Sequence, residues 1–456
     1  MRKITVADII SATDGELLCG DINMEIADIT TDSRKTADGV MFIPIEGEKF
    51  DGHEFIKAAF DLGASASLTH KETDLFLGKT IVKVNDTRIA LGDIARYYKN
   101  ICRIPTVAVT GSVGKTTTKD MIASVLSQKY NTLKTPDNFN NDIGLPLTVF
   151  MLEKEHEAAV LEMGMNHFGE IEYLAGVGRP DVAVITNIGE SHIENLGSRE
   201  GIFKAKMEIA KLFAKDNTLI VNGDDDFLVK AKQTDDYKVI CYGITNPDND
   251  VYAKNIENNG LDGICFTAVA GGEEYEVEVN VPGEHNVYNA LAAICVGMEF
   301  DISMDKIIDG IKNFELTSMR MEIEEHKGVT IINDCYNASP DSIRAALKVL
   351  GQADGKRRIA VLGDVLEMGD FAKEAHSRLG ENVASSGADI LITAGDNMKY
   401  LAQKAKECGM KNVIAFDKTL EVCNYIKDII TPGDTVLIKA SHGMRFEDVY
   451  KVIKNN

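Results

Sequence analysis

The sequence predicts an α/β protein built on a doubly wound, largely parallel sheet, and three observations predict it. Short β-branched runs alternate with helical patterns from about residue 86 onward, as strand–helix–strand units require. One of those runs empties straight into a Gly-rich turn that opens a helix. At about 150 residues per domain, a chain of 456 residues needs roughly three cores rather than one.

The elements follow in order. Residues 1–85 mix short apolar runs with turn signals such as Asp38-Gly39 and Asp51-Gly52, and read as a small N-terminal domain. In residues 86–314, IPTVAVT (104–110) is a strand and Thr116 to Gln128 a helix. AAVLEM (158–163), DVAVITN (181–187) and TLIVN (218–222) are further strands, and an amphipathic helix over 285–298 closes the region. The alternation restarts in residues 315–456. VTIIND (329–334), RRIAVLG (357–363), DILITAG (389–395) and DTVLIKA (434–440) are strands, with helices over 341–350 and 372–385. That is a second, Rossmann-like α/β unit.

Composition narrows the function. Lys plus Arg number 49 and Asp plus Glu 71, a net charge of −22. Bulk attraction for polyanions is therefore excluded, nucleic acid included, and any phosphate must be held by a local site. No apolar run reaches the roughly 18 residues that span a bilayer, so membrane insertion is not expected. The opening MRKITVADII meets Asp8 before an apolar stretch develops, which argues against a signal peptide. The eight cysteines are scattered with no CxxC pair, the pattern of reduced thiols in a cytoplasmic protein rather than a zinc or dithiol site.

The strongest local signal is VAVTGSVGKTTT (107–118). A strand, a Gly-rich turn and a helix start bring backbone N–H groups to one spot suited to phosphate oxygens. Lys115 adds a point charge for the β- and γ-phosphates, and Thr116 a hydroxyl for Mg²⁺. Val109 stands where the usual P-loop has its first glycine, so the turn is the tighter T-G-S-x-G-K-T. Glu162 ends the next strand and His192 lies just past another. Ligand crevices of open α/β sheets lie beyond such ends, so both are metal candidates. Lys204 and Lys206 sit in the helical FKAKMEIA (203–210). No guanine-reading N-K-x-D motif is present, since NDND (247–250) has no lysine.

In order, TGSVGKTTT, LEMGMN, SHIENLGS, FKAKMEI, EHNVYNALAA (284–293), SMRMEI (318–323), NDCYNASPDSI (333–343) and LGDVLEMG (362–369) resemble the Mur ligases, ATP-dependent amide-forming enzymes of peptidoglycan synthesis. The resemblance spans essentially the whole chain. D-x-Y-N-A-x-P-x-S with G-D-x-L-E-x-G is similar to the member that adds D-alanyl-D-alanine to UDP-N-acetylmuramoyl-tripeptide. The diaminopimelate- or lysine-adding member and the folate-polyglutamate member carry an Ala-His pair in place of Tyr336-Asn337.

The resemblance implies a three-domain architecture and a role for each residue. Residues 30–55 would hold the UDP-sugar, with Ser33 and Arg34 in the turn. Thr110, Gly111, Ser112, Val113, Gly114, Lys115, Thr116 and Thr117 would form the ATP phosphate loop. Thr116 and Glu162 would hold one Mg²⁺, and His192 a second, together with a carbamylated lysine that matches Lys206 better than Lys204. Asn141 matches a phosphate-side position for which Asn138 and Asn140 compete. Asn286 and Asn289 match the adenine-side helix, with helix capping as the alternative. Arg320 and Asp334 match residues that close on the γ-phosphate and ribose. Tyr336, Asn337 and Ser339 would sit near the acceptor dipeptide or nucleotide, and Asp396 and Asn397 are acceptor-site candidates. His442 replaces the usual arginine of a C-terminal turn, with Arg445 three residues on. The implied partners are small molecules, and a cytoplasmic monomer is expected.

Overall fold

The computed structural model describes every residue except Glu48 and Asn456. Besides a small antiparallel pairing of Ile4–Thr5 with Glu25–Ile26, three larger sheets follow one another along the chain. The first has five strands in the order Glu16–Cys19, Thr80–Lys83, Ala66–Thr69, Val40–Phe42 and Asp28–Thr30. Only its first pair is antiparallel. The third has six strands in the order Glu322–His326, Val329–Asn333, Asp434–Lys439, Arg357–Gly363, Ile390–Ala394 and Val413–Phe416. There too only the first pair is antiparallel.

The central sheet has nine strands and supports the site. Thr106–Thr110 lies between Ala158–Glu162 and Val182–Ile185, both parallel to it. Thr218–Asn222 and Lys238–Gly243 extend the parallel part on one side, Thr132–Lys134 on the other. Val107, Ala108 and Val109 have no exposed surface, as expected of a strand covered by helices on both faces. Each such buried valine stabilises the fold by about 1.5–3 kcal/mol.

The edge departs from a plain doubly wound sheet. Val251–Asn258 still pairs parallel with Lys238–Gly243, and Ile264–Ala270 and Glu273–Val279 then add an antiparallel extension. In the last of these, EEYEVEV, glutamates alternate with buried valines, so one face is solvated and the apolar run that marks a parallel strand is missing.

The arrangement puts the C-terminal ends of Thr106–Thr110, Ala158–Glu162 and Val182–Ile185 side by side. Chemistry-bearing loops leave from all three.

Candidate active site

A cavity of about 780 Å³ opens where these loops meet the third sheet's domain. Ser112, Val113, Gly114, Lys115, Thr116, Glu162 and His192 line it from the central domain, and Arg320, Tyr336, Asn337, Ser339 and His442 from the other side.

The phosphate loop is built by glycines where side chains cannot fit. Gly111 has φ +151°, and a methyl there would overlap Thr186 Oγ1. Gly114, at φ +85°, caps the helix Lys115–Leu126 without a side-chain bond. The first-turn amides of that helix thus keep no side-chain acceptor and face the cavity, as anion binding requires. The Ser112 amide donates to Asn187 O and the Val113 amide to Asn187 Oδ1. Thr186 Oγ1 and Asn187 Nδ2 both donate to Val113 O. Thr186 and Asn187 therefore brace the loop, and the amides of Ser112 and Val113 are already used. Thr110 is buried with its hydroxyl on Met163 O, 2.8 Å away. Thr117 lies beside Thr116 in the first turn.

Lys115 Nζ donates to Gly111 O at 2.8 Å. Burial pushes its amine below the usual lysine range, the nearby Arg320 guanidinium adds to this, and Glu162 opposes it. Glu162 is 2% exposed. Its Oε1 accepts from Asn140 Nδ2 at 2.9 Å, while Oε2 is buried with no partner among the described residues. A buried, unpaired carboxylate oxygen beside Thr116 is what a cation would satisfy. Of the three competing asparagines, Asn140 reaches Glu162, and Asn141 Oδ1 instead accepts the Ile143 and Gly144 amides.

The helix Arg199–Met207 separates the two lysines by its geometry. Lys204 faces solvent and pairs with Glu200 at i,i+4. Lys206 is 2% exposed and has no hydrogen-bond or ion-pair partner among the described residues. Burial, with Lys115 nearby, holds its amine well below the usual range. A neutral amine is the form that reacts with CO₂.

His192 has φ +61°, a left-handed backbone unusual for a non-glycine residue. Its Nδ1 stands 2.6 Å from Glu367 Oε2, at an angle outside hydrogen-bond geometry. Glu367 comes from the third domain and also has positive φ. Sequence reasoning did not single out Glu367, although it lies inside LGDVLEMG. Arg378 pairs with Glu190 across the same junction at 2.7 Å. Among the described residues no three His, Cys, Asp or Glu gather into a metal cluster. The implied ligand set needs the Thr116 hydroxyl and a modified Lys206.

Arg320 lies between Met319 and Met321, which have φ +60° and +49°. Its guanidinium sits 4.1 Å from the centre of the Tyr336 ring, and its Nε is buried without a partner among the described residues. Burial pushes the Tyr336 phenol up, and Arg320 opposes this. The His442 ring lies 5.7 Å from the same ring, centre to centre, tilted by 40°. Arg445 points away to Glu447 and Asp448.

Other expected residues do structural work in this state. Asp334 holds Lys439 at 2.6 Å and accepts the Met321 amide. Asn289 Oδ1 accepts from Thr118 of the loop helix, and its amide nitrogen donates to Asn286 Oδ1. Asn286 in turn donates to Pro282 O. Ser339 is the N-cap of Pro340–Gln352, in a capping box with Ser342. Asn337 Oδ1 accepts the Ala338 and His442 amides.

Two pairs lie off the cavity wall. Ser33 and Arg34 form a short 3₁₀ turn in the first domain. There the Arg34 guanidinium holds the Asp32 carboxyl down to about 2. Asp396 is exposed, and the Asn397 amide is bound to Asp364.

Comparison with known proteins supplies the context. Three family models match: "Mur ligase family, catalytic domain" over residues 25–99, "Mur ligase middle domain" over 109–297 and "Mur ligase, glutamate ligase domain" over 319–442. The UDP-N-acetylmuramoyl-tripeptide–D-alanyl-D-alanine ligase of Bacillus subtilis is 38% identical, over 99% of this chain and 98% of its own. That of Escherichia coli is 34% identical, over 100% and 99%. A crystal structure of MurF from Acinetobacter baumannii superposes with TM-score 0.92 at 31% identity, covering all of both chains. MurF from Thermotoga maritima in complex with ADP gives 0.83 at 28% identity, over 94% and 97%.

Proposed function

This chain belongs to the Mur ligase family, and we infer that it joins D-alanyl-D-alanine to UDP-N-acetylmuramoyl-tripeptide at the expense of ATP. The product is the pentapeptide precursor of peptidoglycan. The observation that carries this reading is the convergence of Lys115, Glu162 and Arg320 on one cavity at an open helix N-terminus between two domains, with Lys206 buried near Lys115.

The chemistry runs in two steps. The terminal carboxylate of the tripeptide attacks the γ-phosphorus of ATP, the bond to the β,γ-bridging oxygen breaks, and ADP leaves. The amine of D-alanyl-D-alanine then attacks the acyl phosphate carbon. The amine loses its proton, phosphate departs and the amide remains. There is little covalent work for the protein to do, so its contribution is position and charge.

The amides that open the helix Lys115–Leu126 hold the phosphates. Lys115 and Arg320 offset the charge spread over the transferring group. Tyr336 packs against the Arg320 guanidinium and His442 against Tyr336, all in the third domain, so that domain must be docked for the charge set to be complete. Docking also keeps water from the acyl phosphate. Asn286 and Asn289 brace the loop helix on the adenine side. Ser33 and Arg34 hold the UDP moiety, and Asn337 and Ser339 border the acceptor.

Thr116 and Glu162 would hold one Mg²⁺, and His192 and a carbamylated Lys206 a second. The orphaned Glu162 Oε2 and the unpartnered Lys206, whose amine burial holds well below its usual range, fit that assignment. When bound, such ions neutralise phosphate charge. The division of labour places UDP-sugar binding in residues 1–85, ATP in 86–314 and ligation in 315–456. We take the enzyme to act as a cytoplasmic monomer.

The test measures ATP hydrolysis with UDP-N-acetylmuramoyl-tripeptide, with D-alanyl-D-alanine, lysine, diaminopimelate or no acceptor. Strict dependence on the dipeptide is expected. Turnover with a single amino acid would overturn the assignment.

A further inference from the structure

The loop helix carries two buried charges that the mechanism above does not use. Lys119 and Asp120 sit one turn beyond Lys115, with side chains 1% and 0% exposed. Lys119 Nζ donates to Thr135 O at 2.9 Å, and Thr135 Oγ1 in turn accepts the Glu162 amide at 3.0 Å. Asp120 Oδ1 accepts from Lys134 at 2.7 Å. Its Oδ2 accepts from both the backbone N–H and the hydroxyl of Thr317, at 3.2 and 2.8 Å.

Thr317 belongs to the crossover from the central to the third domain, three residues before Arg320. Between them Met319 has a left-handed backbone, so the path from Thr317 to Arg320 is a fixed kink rather than a free linker. On the far side, the Met321 amide is pinned to Asp334. The crossover is thus fastened twice, once to the phosphate-loop helix and once to the third domain's own sheet. Charged groups of this kind are kept buried only at a cost in desolvation, and this carboxylate meets it with three hydrogen bonds from two residues, Lys134 and Thr317.

We propose that Asp120 is a positioning residue: by fastening Thr317 to the phosphate-loop helix, it sets where Arg320 stands relative to Lys115. The inference rests on the reading that Arg320 faces the transferring phosphoryl group. One helix then registers all three charges, since Lys115 starts it, Lys119 ties it to the Glu162 strand and Asp120 ties it to the Arg320 kink.

The test uses the full-length enzyme and four variants. Thr317→Val removes the hydroxyl without changing shape. It should lower kcat about ten- to hundredfold, the cost of a misplaced group, with KM for ATP within about twofold. Thr317→Ser restores the hydroxyl and should recover most of kcat. Lys134→Met removes a charge from the same carboxylate without touching the crossover and should leave kcat unchanged. Arg320→Ala should be nearly inactive. Wild-type kcat in Thr317→Val, no recovery in Thr317→Ser, or an equal loss in Lys134→Met would each overturn the tether while Arg320→Ala stays inactive. Wild-type activity in Arg320→Ala would instead remove the reading of Arg320, and the proposal with it.

Discussion

Replacing Gly111 with alanine probes the tightest point of the phosphate loop. Three costs can be read from the structure. At φ +151° an alanine carries about 1–3 kcal/mol of backbone strain. Its methyl would overlap Thr186 Oγ1 and lie 3.0 Å from Thr186 Cβ, an overpacking cost of about 1–3 kcal/mol. If Thr186 yields, its 2.6 Å bond to Val113 O is lost, about 1 kcal/mol more. The sum is about 3–7 kcal/mol, and at 2–4 °C per kcal/mol for a domain of about 200 residues, melting should fall by roughly 6–28 °C. Thr186→Ala alone should cost only its hydrogen bond, about 1 kcal/mol. The double variant removes the overlap, so it should be more stable than the two single costs predict by about 1–3 kcal/mol. Thermal melting of all four proteins, with calorimetric titration of ATP alongside, measures the cycle. Additivity within about 0.5 kcal/mol would refute the reasoning, because Gly111 and Thr186 would then not be competing for one space.

Glu162→Gln keeps the side chain's shape and can still meet Asn140, but removes the charge. We expect kcat to fall at least about a hundredfold with melting unchanged or raised, and wild-type turnover would count against its role. Lys206→Ala should be nearly inactive and partly restored by short carboxylic acids, and full activity without them removes the carbamate. Burial holds the His285 imidazole near 4 against 6.5 when free, with Asp334 raising it and Lys439 and Lys348 lowering it. The unfolded chain therefore binds the extra proton between those values, and stability drains away as pH falls from about 6.5 to about 4. Because the ring is partly exposed, the loss is only about 1–2 kcal/mol. His285→Gln should lack it, so a stability difference between variant and parent that stays constant over that window would argue against a neutral His285.

Much of the fold was legible because period and punctuation agree. TLIVN and RRIAVLG are strands at the very residues expected, since continuous β-branched runs leave few alternatives. The antiparallel extension was not, because EEYEVEV exposes one face and dilutes its apolar signal. At the site, the Gly-rich turn drew attention to residues 110–117, and the structure gathers most of them with Glu162, His192 and Arg320. The partners that shape the turn were illegible. Thr186 and Asn187 sit more than 70 residues on, and only the sheet order brings their strand beside Thr106–Thr110. Helical spacing alone could not separate Lys204 from Lys206; what separates them is which face of Arg199–Met207 meets the core. Asp120 likewise reads as an ordinary charge on a helix until its neighbours are known.

The strand Asp434–Lys439 has a consequence for how the protein is made. It is the last strand of its sheet in chain order, yet it lies between Val329–Asn333 and Arg357–Gly363. The first two sheets can close while later residues are still being added at the ribosome. The third cannot, because its middle strand arrives last. Until then two half-sheets expose the edges that Asp434–Lys439 will occupy, which makes late synthesis the interval of greatest exposure to aggregation. Chains interrupted upstream of residue 434 would keep a folded nucleotide domain and present an open sheet beside it.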